Sequence, residues 1–247
     1  MRPNFPYQLT GPIGAKTLGL IVLQTDETLE QDFRRIFAMP DVALHITRVP
    51  SGDTVTPDTL TEMRNHLPSA AALLPPAAQF GAVGYGCTSG STLIGPDTVA
   101  ALVGGAVHTQ MVTNPLSAAL AALSALGIAR VGIVSPYIAS VAGPLADAFR
   151  GAGHQVPHTL SFGEEVEERV ARIDPASIKA AALELAATGD VDAVFMSCTN
   201  LRTLDVITEI EAETGLPALS SNQVLAWHMA RGAGAYTAWA PGRLFSC

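Results

Sequence analysis

The sequence predicts an α/β fold of two similar lobes, each a parallel sheet flanked by helices, related by pseudo-twofold symmetry with the site between them. Short β-rich runs alternate with Ala/Leu-rich helical runs along the chain, the pattern of repeated βα units. Strand candidates such as Leu18–Leu23 are continuous apolar runs, which suits a parallel sheet covered on both faces. The third observation is an internal repeat. Gly81-Ala-Val-Gly-Tyr-Gly-Cys87-Thr88-Ser-Gly-Ser-Thr92 parallels Asp192-Ala-Val-Phe-Met-Ser-Cys198-Thr199-Asn-Leu-Arg-Thr203, and both read x-A-V-x-x-x-C-T-x-x-x-T.

Strands are predicted at Leu18–Leu23, Ala43–Val49, Ala82–Gly86, Thr109–Val112, Val131–Ser135, Gln155–Leu160, Ala193–Ser197 and Ala218–Ser220. Helices are predicted at Thr28–Phe37, Asp58–Leu73, Asp97–Val103, Leu116–Leu126, Val141–Arg150, Ala176–Ala187, Thr203–Thr214 and Gln223–Ala230. They open at Pro or Asp and close at glycines such as Gly151, Gly189 and Gly215, the expected start and stop signals. The repeat extends beyond the cysteines. Gly19 aligns with Gly132, 68 and 66 residues upstream of Cys87 and Cys198, and Asn114 aligns with Asn222, 27 and 24 residues downstream. This order divides the chain into a first lobe of residues 1–115 plus 219–247 and a second lobe of residues 116–218.

Of the 247 residues, 48% are hydrophobic and 15% charged, enough apolar material for a core without disulfides or metal. Lys and Arg number 14 against 22 Asp and Glu, a net charge of −8, which argues against a nucleic-acid partner. The most apolar stretch, Pro115–Ile128, is too short to span a membrane. The N-terminus, Met1-Arg-Pro-Asn-Phe-Pro, has no hydrophobic signal core. A cytoplasmic location without membrane contact is the expectation, with three free thiols, Cys87, Cys198 and Cys247. A homo-oligomer is compatible with the sequence.

Both Cys-Thr pairs fall at strand C-terminal ends, where ligands sit in such sheets. Two facing lobes would bring both thiols into one cleft. A helix start following each would favour a thiolate through its unsatisfied N–H groups and dipole. A free thiol titrates near pH ~8.5, and a downward shift of about one to two units would make a useful base. Thr88-Ser89-Gly90-Ser91 reads as a loop whose N–H groups form an anion nest. The hydroxyls of Thr88, Ser89 and Thr199 and the Asn200 amide add donors for a substrate carboxylate. A pair of buried thiols packing as small hydrophobes is the plain alternative, and the duplication weighs against it. Asp26 suits the N-cap of the helix Thr28–Phe37. Glu164, Glu165, Glu167 and Glu168 form an acidic run that reads as a solvated face with at most one member in the cleft.

On these motifs the chain resembles the aspartate/glutamate racemase superfamily, in the branch of maleate isomerase and arylmalonate decarboxylase. Supporting segments are Leu20-Ile-Val-Leu-Gln24-Thr-Asp26-Glu-Thr-Leu-Glu30, Gly84-Tyr-Gly-Cys87-Thr-Ser-Gly, Ser135-Pro-Tyr137 and Ser197-Cys198-Thr199-Asn200. Within the branch it is most similar to the ectoine-utilisation members. The resemblance implies Cys87 and Cys198 as catalytic groups, with Gln24, Asp26, Thr88, Ser89, Tyr137, Thr199 and Asn200 around the substrate. Arylmalonate decarboxylases keep only the second cysteine, so Cys87 argues against decarboxylation. Maleate isomerases carry Asn where Asp26 aligns. An Asp there would repel a second carboxylate and pair with an ammonium instead.

Dinucleotide and phosphate-loop fingerprints are missing. The six His form no metal pair, and no Lys sits in a pyridoxal-phosphate setting. The expectation is thiol chemistry without cofactor or metal on a small carboxylate. The first reading is a two-base racemase or epimerase of an amino-acid-like substrate. A maleate-type cis–trans isomerase acting by thiolate addition to C=C comes second. A non-catalytic small-anion binder comes third.

Overall fold

The computed structural model describes residues 5–247; of the segment Met1–Pro6 read as lacking a signal core, Met1–Asn4 lie outside the described residues. β1 (Lys16–Leu23), β2 (Val42–Val49), β3 (Ala82–Gly86) and β4 (Val112–Thr113) form one sheet in the order β2-β1-β3-β4. β5 (Val131–Tyr137), β6 (Thr159–Glu164), β7 (Ala193–Met196) and β8 (Ala218–Ser220) form another in the order β6-β5-β7-β8. Every strand pair is parallel. The second order repeats the first when β5 stands for β1, so the sequence repeat is a repeat of topology. In each sheet the direction of winding reverses at the central pair, and the crevice at the C-terminal ends there is the natural ligand position.

The helices are α1 (Leu29–Ile36), α2 (Pro57–Glu62), α3 (Leu67–Ala71), α4 (Thr88–Ile94), α5 (Pro96–Gly104), α6 (Pro115–Ala125), α7 (Ala139–Gly151), α8 (Glu167–Val170), α9 (Pro175–Ala187), α10 (Leu204–Thr214) and α11 (Ser221–Ala233). Two of them cross between the sheets. α6 leaves the first sheet, yet Leu116, Ala119 and Leu123 pack with Ile133 and Phe195 of the second. α11 leaves the second sheet, yet Leu225, Met229 and Ala233 belong to the core around β1 and β3. Gly84 makes this approach feasible, because a Cβ there would stand 2.5 Å from Met229 Sδ. Among the described residues no helix is long and apolar enough to cross a membrane.

Four segments differ from the sequence prediction. The fourth strand, expected at Thr109–Val112, is Val112–Thr113. Thr109 makes only an isolated bridge to Phe80, and its hydroxyl bonds Met111 O at 2.8 Å, a local turn that competes with pairing. The sixth, expected at Gln155–Leu160, begins at Thr159, because Pro157 has no N–H for the ladder. The helix Asp58–Leu73 is broken into α2, a 3₁₀ turn at Met63–Asn65 and α3, with Pro68 at the second break. The nest expected at Thr88–Ser91 is instead the first turn of α4.

Candidate active site

The loops leaving β1, β3, β5 and β7 close around an inner cavity of about 10 Å³, room for about one water. Cys87 and Cys198 both line it, one from each sheet. Cys87 is the N-cap of α4, and its Sγ accepts the Gly90 N–H at 3.2 Å. Cys198 is the one non-glycine residue at positive φ among the described residues, at 113°. Such a backbone costs about 1–3 kcal/mol and persists only where its surroundings hold it. Here the Cys198 N–H donates to Ser221 Oγ at 3.0 Å, and the Asn200 N–H donates to Cys198 Sγ at 3.2 Å. Ser221 Oγ also accepts the Thr88 hydroxyl at 2.7 Å, so one buried side chain at the start of α11 ties the two Cys-Thr motifs together.

The thiol electrostatics reverse the sequence expectation. Burial pushes Cys87 up to about 12, against the lowering effect of the Gly90 N–H. Cys198 is driven well above the ordinary range by burial first and the Glu167 charge second. A helix N-terminus lowers a thiol that faces water, but here the closed lobes remove the water, and desolvation of the thiolate prevails.

Asp26 combines two functions. Its Oδ1 accepts the Thr28 and Leu29 N–H groups, each at 2.8 Å, which fixes the start of α1. Its Oδ2 is buried without a partner, on a residue that lines the inner cavity. The neighbouring Thr199 hydroxyl bonds Gly86 O at 3.3 Å. Burial raises the Asp26 carboxyl, against the Leu29 and Thr28 N–H groups and the nearby Thr199 hydroxyl, which lies close to the carboxyl but whose hydrogen-bond geometry favours Gly86 O and leaves Oδ2 unpartnered.

Of the acidic run, the structure selects Glu167, which is buried and opens α8. Its Oε1 accepts the Tyr137 hydroxyl at 2.8 Å, and that hydroxyl stands 2.9 Å from Cys198 Sγ. A register shift between Ser135 and Tyr137 in β5 re-aims the tyrosine at the end of the strand. Glu165 and Glu168 are exposed, as the solvated-face reading expected. Thr88, Ser89, Tyr137 and Thr199 line the inner cavity. Two expected residues do not. The Asn200 amide is engaged elsewhere, donating to Glu167 Oε2 at 3.0 Å and accepting the Glu27 N–H at 2.9 Å. Gln24 is exposed and lines a separate outer cavity of about 450 Å³, which Glu167 also borders. Ser221 was missed by the sequence reading, although it stands beside Asn222 in a matched segment. Among the described residues no group of three or more His, Cys, Asp or Glu side chains is arranged to hold a metal ion.

Residues 53–245 match the family model described as arylmalonate decarboxylase. The chain belongs to the arylmalonate decarboxylase family. That family falls in the aspartate/glutamate racemase-like superfamily. The arylmalonate decarboxylase of Bordetella bronchiseptica is 36% identical over 137 residues, 54% of this chain and 57% of that protein. The match therefore spans little more than half the length of that relative. Among solved structures, a double mutant of arylmalonate decarboxylase in a liganded form is 27% identical with a TM-score of 0.78, covering 93% of this chain and 98% of that one. A cysteine-to-alanine variant of the maleate isomerase of Pseudomonas putida, solved with maleate, has a TM-score of 0.83 at 22% identity over 94% of this chain and 97% of its own. A cysteine-to-serine mutant of the maleate cis–trans isomerase of Nocardia farcinica, solved with a covalently bound succinylcysteine intermediate, has a TM-score of 0.84 at 23% identity over 93% of this chain and 98% of its own. The two isomerases show that the decarboxylase-family fold of this chain is shared with isomerases.

Proposed function

We propose that this chain is a cofactor-independent isomerase whose two thiols act on a small carboxylate, with an amino-acid-like substrate the favoured class. The observation that carries the reading is the inner cavity itself. Two thiols from opposite sheets line it together with a buried carboxyl oxygen that has no partner, and no Lys, Arg or His among the described residues lines it. In a racemase, one thiolate removes the α-proton and the opposite thiol returns one to the other face. Ser89, Thr199 and the opening N–H groups of α4 receive the carboxylate and the negative charge that develops on it. An ammonium at Asp26 Oδ2 would satisfy the orphaned oxygen and offset the burial that raises it. A dicarboxylate would bring a second negative charge toward Asp26 and Glu167.

Cis–trans isomerisation is the second reading, favoured by the succinylcysteine in the Nocardia farcinica enzyme. There a thiolate adds to one alkene carbon, a proton goes to the other, the new single bond rotates and elimination follows. The test is incubation in D₂O with a panel of amino and dicarboxylic acids, read by NMR. Racemisation with solvent deuterium at the α-carbon, lost in both Cys87→Ser and Cys198→Ser, is the expected result. Conversion of maleate to fumarate without α-exchange would replace it with the second reading. Carbon dioxide release from an arylmalonate, surviving Cys87→Ser, would make the chain a decarboxylase.

A further inference from the structure

The two thiols share a cavity but differ in what lies behind them. Behind Cys198 runs a chain of hydrogen bonds, from Sγ to the Tyr137 hydroxyl and on to Glu167 Oε1. Glu167 borders the inner cavity on one side and the outer cavity of about 450 Å³ on the other. Behind Cys87 stands the Tyr85 hydroxyl, fully buried, which donates to Met63 Sδ at 3.7 Å. A thioether has no proton to pass on, so that path ends in the core.

We propose that Tyr137 and Glu167 form a proton relay joining Cys198, and not Cys87, to the outer cavity. The transfer balances. With Glu167 as a carboxylate, the Cys198 S–H proton moves to the Tyr137 oxygen while the Tyr137 proton moves to Glu167 Oε1. The products are a thiolate, a neutral tyrosine and a carboxylic acid, so no net charge enters the cavity. Glu167 then exchanges that proton with water of the outer cavity. The relay deepens the two-thiol reading and rests on it for its purpose: each racemisation leaves the two thiols with exchanged protonation states, and a closed cavity cannot reset them by itself.

The groups around Glu167 fit this task. Asp26, Cys87 and Cys198 face it across the inner cavity, and Glu27, Asp53 and Glu168 share the outer one. The cations nearby are engaged, Arg169 with Glu164 at 3.0 Å and Arg172 with Glu27 at 2.8 Å. Tyr137 and Asn200 are therefore the neutral donors that hold its carboxylate oxygens.

Iodoacetamide alkylation of the full chain, mapped to each cysteine by mass spectrometry, tests the relay without any substrate. Between about pH 5 and pH 9 an unassisted thiol gains roughly tenfold in rate per unit. Cys87 is expected to climb in this way throughout. Cys198 is expected to stay flat above the Glu167 titration and to fall below it, because thiol–carboxylate and thiolate–acid forms carry the same number of protons. Glu167→Gln should convert Cys198 to a climbing profile that overtakes the unaltered chain above the Glu167 titration, since the charge that holds the thiol up is gone. Tyr137→Phe should also convert Cys198 to a climbing profile, and Cys87 should keep climbing in both variants. A climbing Cys198 in the unaltered chain overturns the relay, as does a flat profile that survives Tyr137→Phe. If neither thiol alkylates, thiolate absorbance with Cys198→Ser as the blank reads the same two profiles and decides in the same way. Variants that fail to fold leave the contrast between Cys198 and Cys87 in the unaltered chain to decide. A failed substrate panel leaves these profiles intact, and a failed profile leaves the panel result intact.

Discussion

Asp26 holds α1 with one carboxyl oxygen and turns the other, unpartnered, toward the inner cavity. Asp26→Asn keeps a capping oxygen, so thermal stability should hardly move. A lost charge-assisted bond to an ammonium is worth about 1.5–3 kcal/mol, roughly ten- to a hundredfold in affinity. Affinities of matched amino and dicarboxylic acids, measured on both proteins, check this, and equal values would remove the ammonium reading. Cys198 gives a second test. Its φ of 113° suits glycine, so Cys198→Gly should be more stable than Cys198→Ala by about 1 kcal/mol in urea unfolding, against the usual order. Both cysteines were legible in the sequence because the repeat marks them twice. Their protonation was not, since the sign depends on whether the lobes shut out water. The partner of Asn200 was not legible for a related reason: an amide in a motif declares its donors but not the acceptor that takes them, here Glu167.

Most strands and helices were readable because continuous apolar runs and stop signals are local. The failures fall where a local rule met a competitor. Thr109 turned the chain before the fourth strand, and Pro157 delayed the sixth. The helix α4 was hidden by Ser and Gly, weak helix formers that a cysteine cap and close packing nonetheless hold. Gly90 in that helix tests which effect wins. Alanine is the better helix former by about 1 kcal/mol. Its Cβ, however, would stand 2.6 Å from the Tyr85 hydroxyl and 2.9 Å from Cys87 Sγ, and overpacking costs about 1–3 kcal/mol. Gly90→Ala should therefore lower the urea midpoint and also alter Cys87 alkylation. A rise in the midpoint would show that this packing yields.

Across the whole molecule, the site is sealed by bonds between loops of the two sheets. The Glu27 N–H and Thr28 hydroxyl reach Asn200, both at 2.9 Å, and the Asn222 amide reaches Asp32 at 2.7 Å. Asp32 is pushed up to about 7, by burial above all, against the Asn222 bond and Arg35. A carboxyl raised on folding binds more protons in the native state, so its contribution favours folding at low pH and is lost as pH rises from about 4 toward 7. That loss is on the order of 4 kcal/mol. Asp32→Asn should flatten the corresponding fall in melting temperature between those pH values, and an unchanged slope would refute the assignment. None of these cross-sheet partners could be read from the chain, because each joins residues more than 170 positions apart. The inner cavity holds only about 10 Å³, so substrate entry is expected to require that bonds such as these open first. Capture then runs on the protein's own clock: the association rate levels off at high ligand concentration, where a permanently open cleft would go on accelerating in proportion.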